Sequence, residues 1–160
     1  MVKRKNVVIF VLLVIALTTI LVGWSVSRGK MHDLNDSELT SKMERATPNA
    51  KIPTKVPFDE LQLYEFGSRD QGITFTLFNA DKEFITIKIM SEEIEYPKEI
   101  KKETIKIGND VNGTFMPDHS GKRMITWEQE GMYYEIAYAY KLTASEVSKG
   151  QLVEMAGSFK

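Results

Sequence analysis

The chain predicts an α+β fold behind an N-terminal transmembrane helix, on three observations. Val7 to Trp24 is an 18-residue run without a charge, preceded by Lys3, Arg4 and Lys5. The middle of the chain alternates apolar and polar residues with period two, the pattern of half-buried strands. The last dozen residues return to helical spacing, with Leu152, Met155, Ala156 and Phe159 on one side. Together these predict an antiparallel, curved sheet with a C-terminal helix packed on one face.

The apolar run is close to the roughly 20 residues that a helix needs to cross a bilayer's hydrocarbon core. Asn6 and Ser25 to Ser27 extend it toward the headgroups, and Trp24 suits the interface where amphipathic rings collect. A cleaved signal peptide is the rival reading, with a cut near Ser27. The run exceeds the usual apolar core of about 7–15 residues and lacks an A-x-A site, which favours an uncleaved anchor. With no cysteine in the chain, a lipid-modified cysteine anchor is excluded. The dense cluster Lys3, Arg4, Lys5 outweighs Arg28, Lys30 and Lys42, so the N-terminus is expected inside and the C-terminal domain outside. The expected organisation is an anchor over 1–27, a polar linker or stalk over 28–57, and an extracytoplasmic α+β domain over 58–160.

Charge excludes some partners. Lys3, Arg4 and Lys5 are the only charges in the first 24 residues, which leaves 18 basic against 22 acidic side chains beyond them, a balance of −4. That is no footprint for nucleic acid, which needs a concentrated basic face. Absence of cysteine removes disulfides, thiolate catalysis and Cys-ligated zinc together.

Within the stalk, Asp36 is placed to cap a short helix with Leu39 and Met43 on one face. Two prolines, Pro53 and Pro57, favour an extended lead-in to the domain. Strands follow at 72–79, where Ile73, Phe75 and Leu77 share a face, and at 83–90, where Ile85, Ile87 and Ile89 do. Asn79-Ala80-Asp81-Lys82 joins them as a hairpin turn. Shorter strands are expected at 104–107 and 111–116. Ile125 and Trp127 mark a strand over 123–130, and Glu130-Gly131 is a hairpin signal leading to Met132, Tyr134, Ile136, Tyr138 and Tyr140. For the last helix two capping boxes compete, Thr143-Ala144-Ser145-Glu146 and Ser148-Lys149-Gly150-Gln151. The second is preferred, because it puts Gly150 in the first turn.

Pro53-Thr54-Lys55-Val56-Pro57-Phe58, then Thr104-Ile105-Lys106-Ile107-Gly108 and Asn112-Gly113, resemble the domain of unknown function 4367. The closing block carries the likeness furthest: Ile125-Thr126-Trp127-Glu128-Gln129-Glu130-Gly131-Met132-Tyr133-Tyr134-Glu135-Ile136, then Leu142-Thr143 and Leu152-Val153-Glu154-Met155-Ala156-Gly157-Ser158-Phe159. The resemblance implies a Gram-positive extracytoplasmic domain, related in fold to lipoprotein carriers and connected with envelope stress or sporulation. It supplies no catalytic residues. Gly157 departs from it, standing where a better helix former is expected.

No motif amounts to a catalytic signature, so a non-enzymatic protein without metal or cofactor is expected. Asp118-His119-Ser120 has the letters of a triad but lies between Pro117 and Gly121 and reads as a turn. Asp110, Asn112 and His119 lack any metal-site spacing. Asn112-Gly113-Thr114, a glycosylation sequon by its letters, is attributed to turn composition. Glu92, Glu93 and Glu95 with Lys98, Lys101 and Lys102 read as a solvated charged face. The one ligand-binding candidate is the aromatic set Phe75, Trp127, Tyr134, Tyr138 and Tyr140, which would line an apolar pocket if the helix left it open. Phe78, Phe84, Met90 and Tyr133 fall on the opposite face and become a partner surface if they cluster. The leading function is binding of an envelope protein or peptide by a regulatory or sensory domain; the alternative is a carrier for lipid.

Overall fold

The computed structural model describes residues 29–47, 50–69, 71–139 and 147–160. Among them no helix is long and apolar enough to cross a membrane. The Val7 to Trp24 run, Tyr140 and the first of the two capping boxes lie outside the described residues.

The described fold is α+β. Two short strands, β1 (His32–Asp33) and β2 (Lys55–Val56), flank helix α1 (Ser37–Ala46). Seven antiparallel strands then form one sheet: β3 (Gln62–Arg69), β4 (Gly72–Phe78), β5 (Phe84–Met90), β6 (Glu103–Ile107), β7 (Val111–Met116), β8 (Lys122–Gln129) and β9 (Met132–Ala139). Helix α2 (Lys149–Gly157) closes the chain. Strand order across the sheet is β3-β4-β5-β9-β8-β7-β6. A run of three sequential neighbours, β3-β4-β5, and a run of four, β6-β7-β8-β9, are thus joined in the middle by β5 and β9, which pair Ile87 with Ile136.

Period two decides which face is core. Ile73, Phe75 and Leu77 of β4, Ile85, Ile87 and Ile89 of β5, and Tyr134, Ile136 and Tyr138 of β9 are all at most 1% exposed. The alternate positions Thr74, Thr76, Thr86 and Lys88 stay half-exposed. Turn chemistry fits the hairpins. Glu130 and Gly131 both take positive φ (54° and 75°), as the two-residue turn of a twisted hairpin requires. Asn79 and Glu83 close the β4–β5 turn by side chain, Asn79 Nδ2 donating to Glu83 Oε2 at 2.8 Å and Glu83 N to Asn79 Oδ1 at 3.0 Å.

The β3 strand was not apparent from the pattern, and a bulge between Leu63 and Glu65 is the reason. One extra residue breaks the alternation, so Leu63 and Phe66 share the core face at a spacing of three. Asn112-Gly113-Thr114 is likewise strand rather than turn, lying inside β7 opposite Thr126 and Trp127.

Both helices lie on the core face, α1 against β3 and α2 against β6 and β8. Residues 29–57, expected as stalk, contribute Leu39, Met43 and Val56 to the core, each at most 3% exposed. Burying Leu39 and Met43 is worth about 2 kcal/mol apiece, enough to hold a ten-residue helix that is marginal alone. Asp36 does two jobs there. Its Oδ1 accepts from Leu39 N at 2.9 Å as the N-cap, and its Oδ2 accepts from Leu63 N at 3.2 Å at the β3 bulge. The preferred capping box forms as expected, Ser148 Oγ accepting from Gln151 N at 3.2 Å while Ser148 N donates back to Gln151 Oε1 at 3.0 Å. Ser158 then binds the lead-in segment: its Oγ accepts from Thr54 N and Lys55 N at 3.2 and 3.1 Å.

Replacing Asp36 with alanine is expected to cost about 1–2 kcal/mol, since it orphans a helix N–H and a strand N–H together; urea unfolding measures this. Two glycines give opposite signs in the same measurement. A Cβ on Gly113 would meet Ile107 Cδ1 at 2.6 Å and Thr126 O at 3.0 Å, so Gly113→Ala should destabilise by about 1–3 kcal/mol. At Gly150 the nearest atom is the Ser148 hydroxyl at 3.8 Å, so Gly150→Ala should stabilise by about 0.5 kcal/mol.

Candidate functional site

Four of the five aromatic candidates are described, and all four are core. Phe75 and Tyr138 are 0% exposed, Tyr134 1% and Trp127 4%. Trp127 and Tyr134, opposite each other on β8 and β9, stack at 5.0 Å with their planes 10° apart. Phe159, placed by the end of α2, sets its edge against both, at 4.9 Å from Trp127 and 5.6 Å from Tyr134. Phe58 packs on Tyr138 at 5.9 Å. The space that a carrier would leave for an apolar ligand around Trp127 and Tyr134 is therefore occupied by Phe159. Lys51 N donates to the Tyr134 hydroxyl at 3.4 Å, and burial raises the Tyr134 pKa above its ordinary value of 10.0, since a phenolate there would lose its water.

The outer face of the sheet is different. Residues 91–102 connect β5 to β6, which lie four strand spacings apart, about 19 Å at ~4.8 Å per spacing. The segment crosses β9, β8 and β7 as a strap. Ile94, Tyr96 and Ile100 turn partly inward while Glu92, Glu93, Glu95 and Lys98 face solvent, so the expected charged face is the strap's exposed side. Tyr96 and Ile100 cover a second small cluster of Met116, Met124 and Ala137. The Tyr96 hydroxyl donates to Glu135, a carboxylate only 1% exposed, and Lys88 pairs with the other oxygen of Glu135 at 3.0 Å. Lys88 and Glu135 stand opposite each other on β5 and β9.

Three clefts border this strap, and Ile94 touches each. One of about 480 Å³ lies over β3, β4 and β5, lined by Glu65, Arg69, Thr74, Thr76, Lys88 and Met90. A second of about 300 Å³ is lined by Glu93, Thr104, Asn112, Thr126, Glu128 and Tyr133. The third, about 400 Å³, runs beneath Glu95, Tyr96, Lys98 and Lys102. Their walls carry hydroxyls, amides and charges of both signs beside apolar surface from Met90 and Ile94, the makings of hydrogen bonds to a chain that also seats apolar side chains. Glu135 and its partners were missed in the sequence; the available signal was a carboxylate on an otherwise apolar strand, with a lysine on the neighbouring strand.

The other candidates are separated by the fold. Asp118-His119-Ser120 makes the β7–β8 turn, Asp118 Oδ1 accepting from Gly121 N at 3.1 Å. His119 sets its ring edge-on to Tyr96 at 5.8 Å. Asp110 and His119 stand at opposite ends of the six-residue β7, roughly 20 Å apart by strand rise, so they share no ion. Among the described residues no three His, Asp or Glu side chains gather to hold a metal. The opposite-face set divides in two: Phe78 and Phe84 stack at one end of the β4–β5 pair, while Met90 and Tyr133 pair at the other.

Comparison of the chain with protein-family models, curated proteins and solved structures found no match.

Tyr96→Phe leaves one bond of a buried carboxylate unmade, so a loss of about 1–3 kcal/mol is expected, with faster amide exchange confined to 91–102. Tyr134 predicts a pH dependence. Its raised pKa means that stability is full below about pH 10 and falls as pH rises through the unfolded and then the folded value. Melting temperature followed from pH 8 to 11 should fall less steeply in Tyr134→Phe.

Proposed function

We propose that this chain is a non-enzymatic, membrane-anchored extracytoplasmic domain that binds a protein or peptide of the cell envelope in a regulatory or sensory role. One observation carries the reading: Phe159 and the two helices fill the aromatic core face, while the polar outer face stays open in clefts along the strap. A filled core supports protein binding over lipid carriage, and mixed polar walls suit the amides of an extended chain. The anchor rests on the uncharged run Val7 to Trp24 and the basic cluster before it. The resemblance to the domain of unknown function 4367 supports the same compartment.

The reading has a direct test in intact cells. A photo-crosslinking residue at Thr74, in the larger cleft, should capture one envelope protein, and the same residue at the exposed Glu154 of α2 should not. Equal capture at both positions, or none at Thr74, would count against cleft binding. A C-terminal tag should be lost to external protease while a membrane stub remains; a protected tag would place the domain inside. Lipid that co-purifies in stoichiometric amount would favour the carrier.

A further inference from the structure

The bulge in β3 re-aims one ring. Tyr64 sits at the register shift between Leu63 and Glu65 and is 63% exposed, the one large apolar side chain that stands so far into solvent among the described residues. It is not alone there. Its ring lies 5.4 Å from Phe78 and 5.6 Å from Phe84, edge-on to both, and the two phenylalanines stack at 6.2 Å. All three rings cluster beside the β4–β5 turn.

That turn lies at the end of the sheet where the described chain begins. His32 of β1 borders a cleft with Asn79, Ala80 and Asp81 of the turn. Lys30 O accepts from Gln151 Nε2 in the first turn of α2. Just before α2, Val147 O accepts from Arg123, which stands opposite Tyr138, which in turn stands opposite Ile85, the neighbour of Phe84. Trp24, where the apolar run ends, precedes Gly29 by five peptide steps, at most about 18 Å of extended chain. An anchored domain is thereby held with this end toward the bilayer.

We propose that Tyr64, Phe78 and Phe84 form a membrane-interface contact, seated among the headgroups beside the N-terminal span and fixing how the domain stands on the surface. This rests on the anchored reading above. Rings with one apolar and one wet side are favoured at that depth, and a tether of a few residues makes the contact intramolecular, so a small patch suffices. Asp59, Glu60 and Asp81 outnumber Lys82 of the same turn at this end and weigh against strongly anionic lipid, so the fitting surface is zwitterionic. The outer-face clefts extend away from this end and remain open to a partner.

The chain has no cysteine, which permits single-site labels on the 160-residue protein. Ser25→Cys, Ala80→Cys and Glu128→Cys, each carrying a bimane fluorophore, would be reconstituted in phosphatidylcholine vesicles containing a headgroup nitroxide lipid. Ser25 reports the anchor, Ala80 the aromatic end, and Glu128 the far end of the sheet. The Ala80 label should be quenched at least threefold more than the Glu128 label, and Tyr64→Ser should at least halve that excess. Tyr64 is exposed enough for this change to leave the fold intact. Strong quenching at Ser25 with equal weak quenching at Ala80 and Glu128 would overturn the contact while the anchor stands. An Ala80 signal indifferent to Tyr64→Ser would overturn the role of the rings. No quenching at Ser25 would remove the anchor and the contact with it.

Discussion

The structure depends on the pairing of β5 with β9. Neither partner is close in sequence: residues 84–90 meet residues 132–139, and every other contact in the sheet is between strands that follow one another along the chain. Hairpins are locally encoded and inexpensive to close, but a three-stranded unit with one apolar face cannot bury that face alone. Joining β3-β4-β5 to β9-β8-β7-β6 makes one continuous apolar surface, with Ile85, Ile87 and Ile89 set against Tyr138, Ile136 and Tyr134. The same pairing leaves β6 at the far edge, so the chain must cross three strands to reach it. The strap is therefore a consequence of topology, and the pair Lys88–Glu135 sits where the joined halves and the strap meet.

The two ends of the described chain seal the core face between them. Helix α1 comes before the sheet and α2 after it, and each begins at a side chain that accepts its free amides, Asp36 and Ser148. Ile52 and Lys160 exchange backbone hydrogen bonds at 3.2 and 3.1 Å, and Thr54 and Lys55 give theirs to Ser158. Segments more than 100 residues apart are thus held by bonds that form only when the sheet is complete. The ion pair of Lys149 with Glu103, at 2.7 Å, ties α2 to the edge strand β6 and holds the Glu103 carboxyl below its usual range. Being at the surface, that pair directs placement more than it stabilises.

A sheet with one dry face and one wet face divides the work. The dry face is spent on stability, with Phe159 wedged between Trp127 and Tyr134. What is left for recognition is the outer face, where threonines from neighbouring strands, such as Thr76 and Thr86 at 3.1 Å, make a hydroxyl floor on both sides of the strap. A carboxylate in that floor, buried beneath the strap, is costly unless fully partnered, and Tyr96 from the strap is one of the partners of Glu135. Displacing the strap would expose the group it satisfies, which couples the state of the clefts to the stability of the sheet.

Local pattern by itself determined a good deal. Alternation over β4, β5, β8 and β9 set which side chains point inward, because the period of a strand is fixed by backbone geometry. Short-range chemistry set the turns at Asn79 and Glu130 and both helix caps, since each needs only residues three or four apart. What tertiary structure decided was everything that long-range pairing controls. The bulge at Tyr64 hid β3, and the polar composition of 29–57 hid that the short helix capped by Asp36 belongs to the core, because Leu39 and Met43 find their partners only on the sheet. Glu135 looked like one more wet-face residue until the strap covered it. The aromatic set could be placed on one face from sequence, but whether that face was filled or hollow depended on where α2 ended and Phe159 came to rest. A one-dimensional pattern fixes the direction of a side chain; only the packed chain fixes its neighbour.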